Sequence, residues 1–231
     1  MFYYDAVYWI VLIPVLLLSV YAQTQVSGSF KRYSKVKNCR RVTGAQAAYE
    51  VLRANGVTDV AIRPCRGSLT DHYDPRDNTI YLSEPVYNAD TVAAVGVAAH
   101  EAGHAVQYAV GYGPIRLRSA IIPVTQFGSQ FAFIALLLGI VLYVQPLFAL
   151  GIILFATTTV FQLVTLPVEF DASARALGTI EGSALLEEDE RRGAAKVLRA
   201  AALTYVAALL MSLLQLLRYL LIFSGRNNRR R

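Results

Sequence analysis

Residues 147–168 read LFALGIILFATTTVFQLVTLPV, a continuous stretch without a single charged side chain. A helix needs roughly 20 mainly apolar residues to cross the hydrocarbon core of a bilayer, so this stretch is long enough to span one. Similar stretches lie at about residues 6–22, 121–144 and 200–223. Together they predict a mainly α-helical, multi-pass membrane protein with about four membrane helices.

The composition of the chain favours the same class. Hydrophobic residues make up 55% of the 231 residues and charged residues only 16%, and the mean hydropathy is +0.41. Soluble domains carry about 25% charged residues, so this balance is not typical of them. The segment before the first apolar stretch, MFYYD, contains an acidic residue and no basic one. This favours a retained membrane anchor over a cleaved signal peptide.

Basic residues predict the orientation of the membrane helices. Six of them follow the first span: Lys31, Arg32, Lys35, Lys37, Arg40 and Arg41. Such clusters stay on the cytoplasmic side, as does the charged loop at residues 169–199, so we expect an inner (cell) membrane protein with its amino terminus outside. The basic tail at 226–231 would then also lie outside, which leaves open whether the fourth stretch fully crosses. The cytoplasmic loops account for the net charge of +6, and no nucleic-acid partner is expected.

Residues 98–107 read AAHEAGHAVQ and contain two of the three histidines of the chain. On a helix, positions i and i+4 share one face, so His100 and His104 can bind one metal ion together. Glu101 can take a proton from an attacking water and return it to a leaving amine. The H-E-x-x-H pattern therefore predicts a zinc site that hydrolyses peptide bonds. The alternative is an alanine-rich helix that buries two hydrogen-bonded imidazoles.

A third ligand is needed, because catalytic zinc sites usually use three protein ligands and a water. Glu169 is the best-placed candidate, since it directly follows the third span on the predicted side of the histidine helix. His72, in the segment before that helix, is a second candidate and otherwise a residue near the cleft. Asp171 lies about 200° around the helix from Glu169 and is expected to complement a helix N-terminus or face solvent. Ser173 lies one turn after Glu169 and can support a ligand by a hydrogen bond.

The remaining patterns predict local structure around these residues. Residues 43–54 predict a helix with a Thr43–Gln46 capping box, and residues 90–112 predict the histidine helix with Asp90 as its N-cap. Residues 68–83 predict a small β-hairpin around the turn DPRDN. Pro167 predicts the start of a separate helix of about eleven residues.

These elements group into five predicted segments along the chain. They are an N-terminal membrane anchor (1–22), a soluble catalytic region that begins with a linker (23–118), a transmembrane helical hairpin (119–168), a loop of two helices that carries the third ligand (169–199), and a C-terminal transmembrane helix with a basic tail (200–231).

Five segments resemble, in order, the YugP-like family of neutral zinc metallopeptidases, which are membrane proteins mostly of bacteria. They are LTDHYDPR, VAAHEAGHAVQ, LRSA, FQLVTLPVEFDASARAL and AALTYVAALL, and the resemblance covers about residues 30–223. It implies a gluzincin-type site with His100, His104 and Glu169 as zinc ligands and Glu101 as general base. The broader gluzincin pattern E-x-x-x-D has an aspartate where this chain has Ser173.

The sequence thus predicts a zincin-like catalytic region on the cytoplasmic face, with one Zn²⁺ per chain. Its expected activity is hydrolysis of membrane or juxtamembrane protein substrates. One strand of the hairpin can pair with an extended substrate, and Tyr73 or Tyr81 can line the cleft. Two alternatives are a non-catalytic membrane scaffold with a structural metal and an intramembrane site-2-type metalloprotease, although the chain has no L-D-G motif.

Overall fold

The computed structural model describes residues 2–228, with side chains over residues 8–225. Helices dominate this part of the chain, and three short strands interrupt them. The elements are α1 (Phe2–Tyr33), α2 (Gly44–Ala54), β1 (Ala61–Cys65), β2 (His72–Asp74), β3 (Thr79–Ser83), α3 (Glu84–Tyr87), α4 (Val92–Ala109), α5 (Gly113–Val141), α6 (Gln145–Gly182) and α7 (Glu188–Asn228). Residues 229–231 of the basic tail lie outside the described residues.

Four of these helices, α1, α5, α6 and α7, are long and apolar enough to cross a membrane. This confirms the expectation of about four helices with the length and composition of membrane spans. The predicted linker after the first span is wrong in its first part, because α1 continues to Tyr33. The helix continues past Gly28 because Phe30 and Tyr33 pack against a buried core, which stabilises this last part of α1.

Helix α6 passes through Pro167 without a break. The predicted start of a separate helix at this proline is therefore wrong. Proline removes one backbone hydrogen bond, but Val168 and Ala172 just after it are fully buried, and their packing stabilises the continued helix. As a consequence, Glu169 and Asp171 lie inside a long helix rather than at a helix N-terminus, so neither complements a helix dipole.

The strands form a three-stranded sheet in the order β1-β3-β2. Strands β2 and β3 make the predicted antiparallel hairpin, with His72 opposite Tyr81, whereas β1 adds a parallel partner on the other side of β3. The small hairpin is therefore part of a mixed sheet. Ile80 and Leu82 of the central strand are fully buried, because β3 packs against helices α3 and α4.

The chain divides into two compact units. One comprises Met1–Tyr21, Leu117–Leu166 and Thr204–Arg231, and the other comprises Ala22–Arg116 and Pro167–Leu203. The second unit contains the sheet, α2, α3, α4 and the end of α6. Its core is formed largely by the alanines and valines of α4 and α2, with Ile80 and Leu82 of the sheet. This unit carries every residue singled out above as a candidate ligand.

Side-chain caps begin helices α2 and α4 of the second unit. The Thr43–Gln46 capping box of α2 is present as predicted. Helix α4 begins at Val92, and its N-cap is Thr91, whose hydroxyl accepts from the Ala94 N–H. The expectation of an Asp90 cap is wrong by one residue. The side chain of Asp90 instead pairs with basic residues of the segment after α1.

Candidate metal centre

The histidine helix and the glutamate helix approach each other closely at a glycine. A Cβ atom added to Gly103 would lie 2.6 Å from the Ala172 carbonyl oxygen, which is closer than side chains come in proteins. Gly103 sits just before His104, and Ala172 lies three residues after Glu169. The missing side chain therefore lets the turns of α4 and α6 that carry the candidate ligands come together.

Three candidate ligand atoms converge at this approach. The Nε2 atom of His100 lies 3.2 Å from Oε2 of Glu169, and Nε2 of His104 lies 3.6 Å from the same oxygen. Among the residues that the structure describes, His100, His104 and Glu169 form a group whose ligand atoms all lie within 4.8 Å of one another. The Glu169 side chain is 3% exposed, so its carboxylate is held almost entirely inside the protein.

This arrangement fits a zinc ion in its donor set and its spacing. Zinc takes imidazole nitrogen and carboxylate oxygen at about 2.0–2.2 Å, so two ligands of one tetrahedral ion lie about 3.3 Å apart. The two His–Glu distances bracket that value. Three protein ligands leave a fourth position open, as in catalytic rather than structural zinc sites.

The electrostatic surroundings of His104 favour a positive charge. Burial opposes protonation of this imidazole, yet the neighbouring carboxylates of Glu169 and Glu101 raise the pKa of His104 above its ordinary value of 6.5. The same carboxylates would also attract a divalent cation to Nε2, because the attraction depends on the charge of the cation and not on its identity.

The other nitrogen of each imidazole has a partner of its own. Nδ1 of His100 lies 3.1 Å from the Ser173 hydroxyl, which is within hydrogen-bond distance. Nδ1 of His104 lies 3.0 Å from Oε1 of Gln107. Such partners orient imidazole ligands, and a partner that can only accept a hydrogen bond also selects the nitrogen that faces a metal.

Asp171 contacts Gln107, the partner of His104. It accepts hydrogen bonds from Nε2 of Gln107 at 2.8 Å and from Nε of Arg175 at 2.6 Å. The expectation that Asp171 faces a direction different from Glu169 agrees with this geometry. Its position inside α6 makes the helix-dipole prediction wrong, and its side chain is 26% exposed while it binds Gln107 and Arg175.

The hairpin residues lie outside the cluster. Nδ1 of His72 contacts the Thr70 carbonyl at 2.8 Å, and its ring stacks on Tyr81. The hydroxyl groups of both tyrosines bind the hairpin turn: Tyr73 donates to Asn78 and Tyr81 donates to Asp77. The ring of Tyr73 also packs against Tyr108 of α4, which joins the sheet to the histidine helix.

Sequence reasoning missed two residues of the site, Gln107 and Gly103. Gln107 lies three residues after His104, at a spacing that places it on the same helix face, and this could have marked it. Gly103 lies within the H-E-x-x-H motif, but only the position of α6 shows that a side chain cannot be accommodated there.

A family model described as "Putative neutral zinc metallopeptidase" matches residues 8–224 of the chain. The chain belongs to this family. A relative named "Putative membrane protease YugP", from Bacillus subtilis (strain 168), is 48% identical over 216 residues, covering 93% of this chain and 96% of the relative. No solved structure matches. The relative's name and the four apolar helices together indicate a membrane protein.

Proposed function

We propose that this protein is a zinc-dependent endopeptidase that hydrolyses peptide bonds on the cytoplasmic face of the membrane. One observation carries the proposal: His100 and Glu169, which are 69 residues apart in sequence, meet with His104 in one cluster of ligand atoms. Two imidazoles and a carboxylate are a ligand set of zinc peptidases. The peptidase names of the family and of the relative support the same activity.

Glu101 is the general base in this proposal. When bound, zinc supplies a water of lowered pKa and polarises the scissile carbonyl. The Glu101 carboxylate takes a proton from the attacking water and gives it to the leaving amine, while the C–N bond of the peptide breaks and a new carboxyl group forms. Glu101 adjoins His100 on α4, and its negative charge contributes to the raised pKa of His104.

The placement of the ligands along the chain supports membrane-associated substrates. Glu169 directly follows the uncharged stretch at residues 147–168 on the same continuous helix. The histidine helix ends at Ala109, and the next candidate span begins at Gly113. Both ligand-bearing segments thus lead directly into apolar helices. Substrates that are membrane proteins or juxtamembrane segments would reach such a site most readily.

Strand β2 is the best candidate for binding an extended substrate. It lies at one edge of the sheet, where backbone groups are available to pair with another strand. It also contacts α4 through Tyr73 and Tyr108, whose rings lie 5.4 Å apart. Because the tyrosine hydroxyls bind the hairpin turn, we assign the main chain of β2, rather than those hydroxyls, to substrate binding.

The intramembrane alternative is less well supported. Helix α4, which carries H-E-x-x-H, is not one of the four candidate spans among the described residues. It belongs instead to the compact unit that contains the sheet. A site-2-type enzyme would carry this motif inside the bilayer.

Metal content of the detergent-purified full chain tests the zinc site. We expect about one zinc per chain in the wild type and in Glu181→Ala, and loss of zinc in Glu169→Ala. Glu181 is the matched control, because it is a carboxylate on the same helix that lies outside the ligand cluster. A wild-type protein without zinc, after zinc is supplied, would refute the proposal.

Hydrolysis assays separate an enzyme from a scaffold with a structural metal. We expect Glu101→Gln to keep zinc and lose hydrolysis, and His100→Ala to lose both. Retained hydrolysis in Glu101→Gln would remove the general-base assignment. A membrane-embedded substrate should be cleaved faster than a soluble unstructured protein, and equal rates would contradict the proposed substrate class.

A further inference from the structure

Gln107 is a fully buried polar side chain beside the candidate ligands. Its amide makes three contacts: Oε1 lies 3.0 Å from Nδ1 of His104, and Nε2 donates to the Val168 carbonyl at 2.7 Å and to Asp171 at 2.8 Å. A buried amide is costly unless its hydrogen bonds are made, and here they join α4 to α6.

The partners of Nε2 determine which way the amide points. The Val168 backbone carbonyl can only accept a hydrogen bond, so the NH₂ group of Gln107 must face it. Asp171 already accepts from Arg175 at 2.6 Å and offers a second acceptor to the same NH₂ group. The amide oxygen of Gln107 is therefore the atom that faces His104.

The direction of the amide in turn determines the state of His104. An amide oxygen can only accept, so Nδ1 of His104 must carry the hydrogen in this contact. In a neutral imidazole with the hydrogen on Nδ1, the lone pair lies on Nε2. That nitrogen is the one that faces Glu169, at 3.6 Å. The chain of contacts from α6 thus presents the metal-binding nitrogen of His104.

His100 is held differently. Its Nδ1 contacts the Ser173 hydroxyl at 3.1 Å, and a hydroxyl can either donate or accept. This contact is compatible with either tautomer of His100. The two histidines therefore differ in how firmly the surrounding protein selects the nitrogen that faces the metal.

We infer that Gln107 is a positioning residue that presets His104 for metal binding through the acceptor groups of Val168 and Asp171, whereas Ser173 leaves His100 adaptable. The inference rests on the proposed zinc site and adds a difference between its two histidine ligands, since His104 is preset and His100 is adaptable. Removal of a hydrogen-bond partner behind a metal-binding histidine typically weakens metal affinity by about 10- to 100-fold. We expect that loss for Gln107 and a clearly smaller one for Ser173.

Zinc affinity tests this difference between the two histidines. It is measured on the detergent-purified full chain by competition with a chromophoric chelator. Gln107→Met keeps the length of the side chain and removes its hydrogen bonds, and it should bind zinc about 10- to 100-fold more weakly than the wild type. Ser173→Ala is the matched comparison on the partner histidine and should weaken zinc binding clearly less than Gln107→Met does. Equal losses in the two variants would overturn the inference.

A second measurement reads the tautomer directly and does not depend on activity. The chain has three histidines, so ¹⁵N-labelled imidazoles give few signals, and His72→Gln removes the one outside the cluster. In metal-free protein at a pH above the imidazole pKa, His104 should show the hydrogen on Nδ1. Gln107→Met should give a mixture of tautomers, and an unchanged pattern would contradict the role of Gln107.

A conservative variant guards against a variant that merely misfolds. Gln107→Glu keeps an acceptor towards His104, so it should bind zinc clearly more tightly than Gln107→Met does. Zinc affinity in Gln107→Glu as low as in Gln107→Met would overturn the inference.

The outcomes also separate this inference from the function on which it rests. A wild type that binds no zinc would overturn the proposed peptidase and the role of Gln107 together. A wild type that binds zinc, beside a Gln107→Met variant of equal affinity, would overturn only the inference.

Discussion

Replacing Gly103 by alanine tests whether the close approach of two helices creates the metal site. The added Cβ would lie 2.6 Å from the Ala172 carbonyl oxygen, whereas real Cβ contacts essentially never fall below 3.0 Å. Helices α4 and α6 must therefore separate locally by at least 0.4 Å, the difference between 3.0 and 2.6 Å. Zinc–ligand distances are tolerated within about 0.2 Å, so the separation exceeds what the site can absorb.

The loss of zinc affinity in Gly103→Ala can be estimated from the same displacement. Two of the proposed ligands lie on α4 and one on α6, so a bound zinc would have to pull the helices back together or lose contact with Glu169. Overpacking of this kind costs about 1–3 kcal/mol, which corresponds to roughly 5- to 150-fold weaker zinc binding in Gly103→Ala. Chelator competition in detergent measures that ratio.

Gly178→Ala provides the matched control. Gly178 lies on α6, and a Cβ added there meets nothing within 4 Å. We expect unchanged zinc affinity and a stability gain of about 0.5–1 kcal/mol, because alanine loses less backbone entropy than glycine in a helix. Wild-type zinc affinity in Gly103→Ala would refute the argument that the Gly103–Ala172 approach positions the ligands.

Three further outcomes follow from other contacts. Zinc affinity should fall as the pH is lowered through the raised pKa of His104, because a proton on Nε2 excludes the metal, and the loss should begin at a higher pH than for an ordinary imidazole; affinity that is constant between pH 8 and pH 6 would contradict this. Thr43→Ala should lower the free energy of unfolding by about 1 kcal/mol, because the α2 cap is lost. If the variant unfolds in detergent at the same temperature as the wild type, this prediction is wrong. Asp71→Ala should lower the free energy of unfolding by about 1–3 kcal/mol, because the Ser83 N–H and hydroxyl lose their acceptor. An unchanged unfolding temperature in the same assay would contradict this.

The sequence predicts those features that depend on short-range spacing. The apolar stretch at residues 147–168 is long enough to span a bilayer whatever surrounds it. The pairing of His100 with His104 follows from the period of a single helix, and the Thr43–Gln46 box from one turn. The hairpin likewise follows from its turn residues. Each of these patterns is contained within a few residues or one continuous segment.

The tertiary structure decides the features that depend on contacts between distant segments. Pro167 suggested a helix start, but burial of the residues after it keeps α6 continuous. That continuity removes the helix-end role expected for Asp171 and lets it bind Gln107 instead. The parallel pairing of β1 with β3 is likewise a long-range choice.

The candidate metal centre combines both kinds of information. The sequence by itself determines that two imidazoles share one helix face and that a glutamate follows an apolar span. Only the fold brings Glu169 to the histidines, because a glycine allows two helix backbones to approach where any side chain would hold them apart. The direction of the buried Gln107 amide was also beyond the sequence, since it depends on a backbone carbonyl of another helix.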